Sequence, residues 1–230
     1  MSHPDVSVLM PVFEAVATLD EAIDSVLAQE GPALELVCVD DGSADGSLDR
    51  VRLRARTDPR IVAVERSHAG IVAALNAGLL AARAPIVARM DADDVCLPGR
   101  LAIQYRFLTE RPDIVVAGCR VECFPDEAVS DGMRHYLRWL DGLVDPDRIA
   151  IERFIESPLA HPSVAFRRDV VLAAGGYEDG PFPEDYDLWL RLAGLGHRLA
   201  KVPDVLLRWR EGPRRLSRTD PRYSADAFRR

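Results

Sequence analysis

The chain has 230 residues, a formal net charge of −8 and 48% hydrophobic residues, enough to bury a sizeable core without covalent or metal staples. An acidic body lacks the basic footprint that general nucleic-acid binding requires, and with Lys201 as the only lysine, Schiff-base and P-loop chemistry have almost no candidate residue. Cys38, Cys96, Cys119 and Cys123 lack paired C-x-x-C spacing, no basic-then-apolar leader opens the chain, and no window of about 18 uncharged apolar residues occurs; reduced, mostly buried thiols in a cytoplasmic protein that neither spans a membrane nor is exported are expected.

In chain order, Val6 to Val12 is an apolar run of buried-strand type, stopped by Pro11. Thr18 and Glu21 form a capping-box pattern, and Leu19, Ile23, Val26 and Leu27 keep helical spacing to Gln29. Leu34 to Val39 predicts a second strand, and the turn Asp40 to Ser47 leads into a helix ending near Ala55. Ile61 to Val64 is a third strand, Ala69 to Ala82 a helix, Ile86 to Met90 a fourth strand, and Pro98 opens a helix that runs to Arg111. Ile114 to Val121 is a further strand. This alternation predicts an α/β protein of βαβ units with a mostly parallel sheet and helices on both faces.

After Phe124 the rhythm fails. Pro125 to Asp145 reads as irregular, Pro146 to Glu156 as helix, and Ser163 to Phe166 as a short strand. Arg168 to Ala174 and Glu184 to Leu195 read as helices, and Leu199 to Arg210 as one or two strands broken by Pro203. No linker or repeat divides the chain, so one domain over residues 1–230 is expected.

Acids gather where strands end: Glu14 after the first, Asp40 and Asp41 after the second, and Asp91, Asp93 and Asp94 after the fourth. In an open α/β sheet, ligands bind outside the carboxyl ends of the strands. The first βα turn, Pro11 to Thr18, contains no glycine, and no G-K-[ST] loop follows any strand, which disfavours dinucleotide binding and P-loop hydrolysis. Carboxylates accept hydrogen bonds from ribose hydroxyls and hold Mg²⁺ or Mn²⁺, but repel bare phosphate. Such a cluster is either solvated surface or a ligand site in which a metal stands between acids and diphosphate.

Val6 to Glu14, Val37-Cys38-Val39-Asp40-Asp41-Gly42-Ser43-Ala44-Asp45, Asn76-Ala77-Gly78, Met90-Asp91-Ala92-Asp93-Asp94 with Pro98 and Arg100-Leu101, and Gly175-Gly176-Tyr177 followed by Glu184-Asp185-Tyr186-Asp187-Leu188-Trp189 occur in this order. The chain thereby resembles family 2 glycosyltransferases, over about Val6 to Arg210. The resemblance implies the GT-A fold, with residues 5–124 as a nucleotide-binding half and 125–210 as an acceptor-binding half. It implies an inverting, metal-dependent hexosyltransferase that moves one sugar from a nucleoside-diphosphate sugar, usually uridine-linked, in surface-glycan assembly. Pro11, Val12, Glu14, Asp41, Asn76, Asp91 and Ala92 would line the nucleotide-sugar site, Asp93 would also bind the metal, and Asp185 would be the catalytic base beside Glu184.

The chain departs from the family's pattern at His68-Ala69-Gly70, at Leu75, where an arginine is frequent, and between Arg208 and Ser217, where no histidine occurs. His161 is either a substitute metal ligand, an acceptor contact or structural. His135-Tyr136-Leu137-Arg138-Trp139 reads as an amphipathic acceptor-side segment. Asp91-Ala92-Asp93-Asp94-Val95 also fits the nucleophile loop of haloacid dehalogenase-like phosphohydrolases, which would need Lys201, and a non-catalytic nucleotide-sugar-binding protein is a third reading. Eight arginines from Arg208 to Arg230 make a basic tail over 211–230; it is either a solvated end or a contact with an anionic membrane surface, next to a glycan or lipid-linked acceptor.

Overall fold

The computed structural model describes residues 3–212, 215, 218 and 220–223. Strands β1 (Val6–Val12), β2 (Leu34–Asp40), β3 (Ile61–Glu65) and β4 (Ile86–Arg89) alternate with helices α1 (Leu19–Leu27), α2 (Ser47–Thr57) and α3 (Ile71–Ala81). Strand β5 (Val95–Cys96), helix α4 (Arg100–Glu110) and strand β6 (Ile114–Phe124) follow, then helices α5 (Asp131–Gly142) and α6 (Pro146–Glu152), strand β7 (Ala165–Arg167), helices α7 (Arg168–Ala173) and α8 (Glu184–Gly194), and strand β8 (Arg198–Arg210).

All eight strands form one sheet in the order β3-β2-β1-β4-β7-β6-β8-β5. Strands β1 to β4 are parallel to one another, as the alternation predicts. The rest is mixed: β7 is antiparallel to both β4 and β6, and β5 to β8. Strands β6 and β8 are again parallel, so the sheet is mostly parallel, with antiparallel pairing confined to β7 and β5.

Strand alternation divides the core. Val8, Met10, Leu36 and Cys38 pack with Ile23, Val26, Leu101 and Leu108 on one face, while Leu9, Val37, Val39 and Val87 pack with Leu75, Leu79, Leu188 and Trp189 on the other. A third cluster joins Cys119, Val121, Leu206 and Leu207 to Leu140. Gly78 lets α3 lie directly on the sheet, since a Cβ there would come within 1.9 Å of Leu9 Cδ1. Gly78→Ala is expected to lower unfolding stability by about 1–3 kcal/mol through overpacking, measurable by urea titration.

Three local expectations are corrected. Thr18 makes no side-chain cap; its hydroxyl donates to Ala92 O at 3.0 Å, tying α1 to the acidic loop instead. Residues 125–145 are not irregular: Ser130 accepts from Met133 N and opens α5. Pro203 does not split the last strand; β8 runs unbroken and absorbs the proline in a register shift between the pairs Cys119/Val202 and Arg120/Val205.

Candidate active site

Strands β1, β2 and β4 end at the same edge, with Val12 opposite Asp40 and Leu9 opposite Arg89. Because β7 runs against β4, pairing Ala88 with Ala165, the turn His161–Ser163 that precedes β7 arrives at this edge as well. Arg208 pairs with Val95, so the end of β8 reaches the acidic loop. A cavity of about 980 Å³ opens there, lined among others by Pro11, Val12, Glu14, Asp41, Arg89, Asp91, Ala92, Asp93, His161, Glu184, Asp185 and Tyr223. Every site residue expected from the sequence reaches its wall except Asn76.

Asn76 has another task. Its Nδ2 donates to Tyr177 O at 2.8 Å and its Oδ1 accepts from Tyr177 N at 2.9 Å. It fastens the Gly175-Gly176-Tyr177 turn to α3, and Gly176, at φ +71, would drive a Cβ within 2.6 Å of that same amide oxygen. Asn76 thus clamps this turn and does not line the cavity.

On one flank, Asp41 accepts from Gly70 N at 2.8 Å and Ala69 N at 3.2 Å, and Glu14 Oε1 accepts from Ala44 N at 2.7 Å. Phe13 and His68 stack at 4.4 Å beside them, with His68 Nδ1 3.0 Å from Asp41. Asp40 and Asp45 serve turns: Asp40 Oδ1 accepts from Gly42 and Ser43 N–H groups, and Asp45 Oδ1 from Ser47 N.

At the centre, Asp91 pairs with Arg89 at 2.6 Å. Burial and the neighbouring Asp91 charge push the Asp93 carboxyl up to about 6. Asp94 lies behind the wall, 1% exposed, with Oδ1 accepting from Arg210 N at 2.7 Å and Oδ2 without a hydrogen-bond partner among the described residues. Burial and the other two acids push it well up. One oxygen from each of Asp91, Asp93 and Asp94 lies within 4.8 Å of the others. An all-oxygen donor set under mutual repulsion, with one orphaned buried oxygen, fits a hard divalent cation such as Mg²⁺ or Mn²⁺.

The far wall is the first turn of α8. Asp185 is 8% exposed and Glu184 1%; burial and then the Glu184 charge raise the Asp185 carboxyl to about 7. Tyr223 OH donates to Glu184 Oε2 at 2.9 Å. His161 groups with Glu184 and Asp185, not with Asp93. Its Nε2 is 2.9 Å from Tyr177 OH, and burial followed by the Arg89 charge drives its pKa well down, so the imidazole is neutral and its 3.7 Å approach to Glu184 is not an ion pair. Met133 and Tyr136 of α5 also line the cavity.

Arg89, Arg210 and Tyr223 were not among the residues expected here. Only Arg89 had a signal, a charge inside an apolar strand pattern. The dehalogenase-like reading fails on geometry: Lys201 is 2% exposed, donates to Leu140 O at 2.5 Å, and does not line the cavity. Of the basic tail, Arg215 and Arg218 pair with buried Glu211 and Arg222 with Asp220; Arg214, Arg229 and Arg230 lie outside the described residues. Among the described residues, no helix is long and apolar enough to cross a membrane.

The family model described as glycosyl transferase family 2 matches residues 7–173. The chain is 36% identical over 209 residues to the amylovoran biosynthesis glycosyltransferase AmsE of Erwinia amylovora, a match covering 90% of this chain and 76% of that protein. It is 28% identical over 210 residues to the UDP-Gal:alpha-D-GlcNAc-diphosphoundecaprenol beta-1,3-galactosyltransferase of Escherichia coli, covering 89% and 73%. The structure of the mannosyltransferase PcManGT from Pyrobaculum calidifontis in complex with GDP-Man and Mn²⁺ superposes with a TM-score of 0.71 at 24% identity over 90% of this chain. The chain spans 57% of that protein, and at this identity the likeness is one of fold, the GT-A fold.

Proposed function

The chain belongs to glycosyl transferase family 2, and from that premise we propose that it moves one sugar, with inversion, from a uridine-diphosphate sugar to a hydroxyl of a growing surface glycan. The observation that carries this reading is the single cavity shared by Asp41, Asp93 and Asp185. In it, residues 5–124 hold the donor and residues 125–210 the acceptor. Pro11, Val12, Glu14 and Asp41 border the nucleoside, and Asp91 the ribose. Asp93 binds Mg²⁺ or Mn²⁺, which when bound neutralises the diphosphate as a Lewis acid.

Asp185 takes the proton from the acceptor hydroxyl while its oxygen attacks the anomeric carbon. The new C–O bond forms on the face opposite the bond to the diphosphate oxygen, which breaks, so a single displacement inverts the centre. A carboxylate with a pKa near 7 is a stronger base than an exposed aspartate and is still substantially ionised at neutral pH. Glu184 raises that basicity by its charge. The Escherichia coli relative is named for an acceptor on a diphosphoundecaprenol carrier; a lipid-linked acceptor at the cytoplasmic face of the membrane, with the basic tail near the lipid surface, follows by analogy for this chain.

Thermal shift with UDP-glucose, UDP-galactose, UDP-N-acetylglucosamine and GDP-mannose, each with Mn²⁺ or with chelator, tests the donor. One UDP-sugar at about 100-fold over its Kd should raise Tm by about 5–10 °C with Mn²⁺ and by little with chelator. Stabilisation by GDP-mannose alone would replace the uridine assignment, and equal shifts with chelator would remove the metal.

A further inference from the structure

Arg89 is a buried cation with unused hydrogen-bonding capacity in the wall of the cavity. It is 4% exposed and sits at the end of β4. Its backbone is fixed on both sides, N–H donating to Val164 O at 2.9 Å and C=O accepting from Arg100 Nη2 at 2.7 Å. Its own Nη2 is committed to Asp91 Oδ1 at 2.6 Å. Its Nε and Nη1 are buried and, among the described residues, have no hydrogen-bond partner. Leaving two nitrogens of a charged fork unmatched in a low-dielectric wall is costly, and native structures tolerate it mainly where a ligand or an ordered water completes the set.

The surroundings narrow the ligand. Arg89 stands between two acid groups: its side chain pairs with Asp91, and its backbone N–H binds Val164 O beside the His161–Ser163 turn, whose His161 groups with Glu184 and Asp185. On the reading above, the first group faces the nucleotide and the second the acceptor, so the moiety between them is the sugar in transit. Carboxylates on both sides repel a second anion and favour a neutral ligand rich in oxygen acceptors. We propose that Arg89 is a donor-sugar-binding residue whose Nε–H and Nη1–H groups hold hydroxyl oxygens of the transferred sugar, while its Nη2 holds Asp91. One planar fork thereby fixes the sugar relative to the donor-side acids and sets which hydroxyl pattern the cavity accepts.

Calorimetric binding separates this role from simple support of Asp91, and it needs no acceptor. Using UDP and the tightest of the four nucleotide sugars with Mn²⁺, Arg89→Met should weaken the nucleotide sugar by about 10–100-fold while changing UDP by less than about threefold, and Arg89→Lys should recover part of the loss. Monodeoxy analogues of that donor should show one position whose removal weakens the wild type about tenfold and costs Arg89→Met nothing further. Parallel loss of UDP and nucleotide sugar, or deoxy penalties that persist unchanged in the variant, would overturn the assignment and leave Arg89 as a clamp for Asp91. If Arg89→Met fails to fold, Arg89→Lys carries the same comparison, because an ammonium cannot reproduce the fork. A wild type that binds none of the four donors overturns the donor reading itself, whereas a wild type that binds with uniform deoxy penalties overturns Arg89 alone.

Discussion

Asp185→Asn is expected to lower the rate of sugar transfer by about 10²–10⁴-fold while leaving the dissociation constant of the nucleotide sugar within about threefold. The substitution keeps size and burial and removes only the capacity to accept a proton. If the chain were a nucleotide-sugar-binding partner without chemistry, the wild type would have no transfer to lose. Retention of most of the rate in Asp185→Asn would instead remove this carboxylate from the reaction.

The same residue sets a pH dependence whose sign follows from its surroundings. A base must be ionised, so kcat/KM should rise with pH through about 7, the value to which burial and the Glu184 charge raise Asp185. Glu184→Gln deletes the like charge but not the burial. The limb should therefore move to lower pH without reaching the range of an exposed aspartate, and at pH 6 the variant should retain a larger share of its plateau rate than the wild type. A limb that stays in place would assign the titration to another group. Tyr223 enters here too, since its hydroxyl donates to Glu184 and not to Asp185, so it steadies the charge that tunes the base.

How much of this was legible in the sequence depends on the range over which each residue acts. Strands β1, β2 and β4 are continuous apolar runs, and Asp41, Asp91 and Asp93 lie within a few residues of their ends; local pattern alone brings them to one edge of the sheet. Asp185 could be assigned from its motif, but what raises its basicity could not. Glu184 is its neighbour in sequence, but the burial that raises the Asp185 carboxyl most is a product of tertiary packing, as is the contact of Tyr223 with Glu184. Helix α5 was hidden because its stripe of Met133, Tyr136, Leu137 and Leu140 lies between Gly132 and Gly142, in a stretch rich in charge. The three-residue strand β7 carries no periodicity, yet its antiparallel entry is what delivers His161 to the cavity. Asn76 is the opposite case: a motif residue near the same strands, whose amide donates to and accepts from the Tyr177 backbone.

Asp93→Asn should abolish the metal-dependent part of donor binding and lower transfer by about 10²–10³-fold, and chelation of the wild type should reproduce both losses. The argument is electrostatic. One oxygen from each of three carboxylates lies within 4.8 Å of the others; burial and the Asp91 charge raise the Asp93 carboxyl to about 6, above its value in an unfolded chain, and burial with the charges of Asp91 and Asp93 raises Asp94. A carboxylate raised in this way supports the fold only at pH low enough to protonate it, and that support is lost as pH rises through the folded value. At pH 7.5 the ionised cluster therefore strains the metal-free protein, and a neutral amide at position 93 relieves it. Metal-free Asp93→Asn should accordingly melt at or above the wild-type temperature, while the increment that Mn²⁺ and a nucleotide sugar add to the wild type disappears. A variant that loses stability without metal, or keeps the Mn²⁺ increment, would show that Asp93 serves the fold rather than the ion.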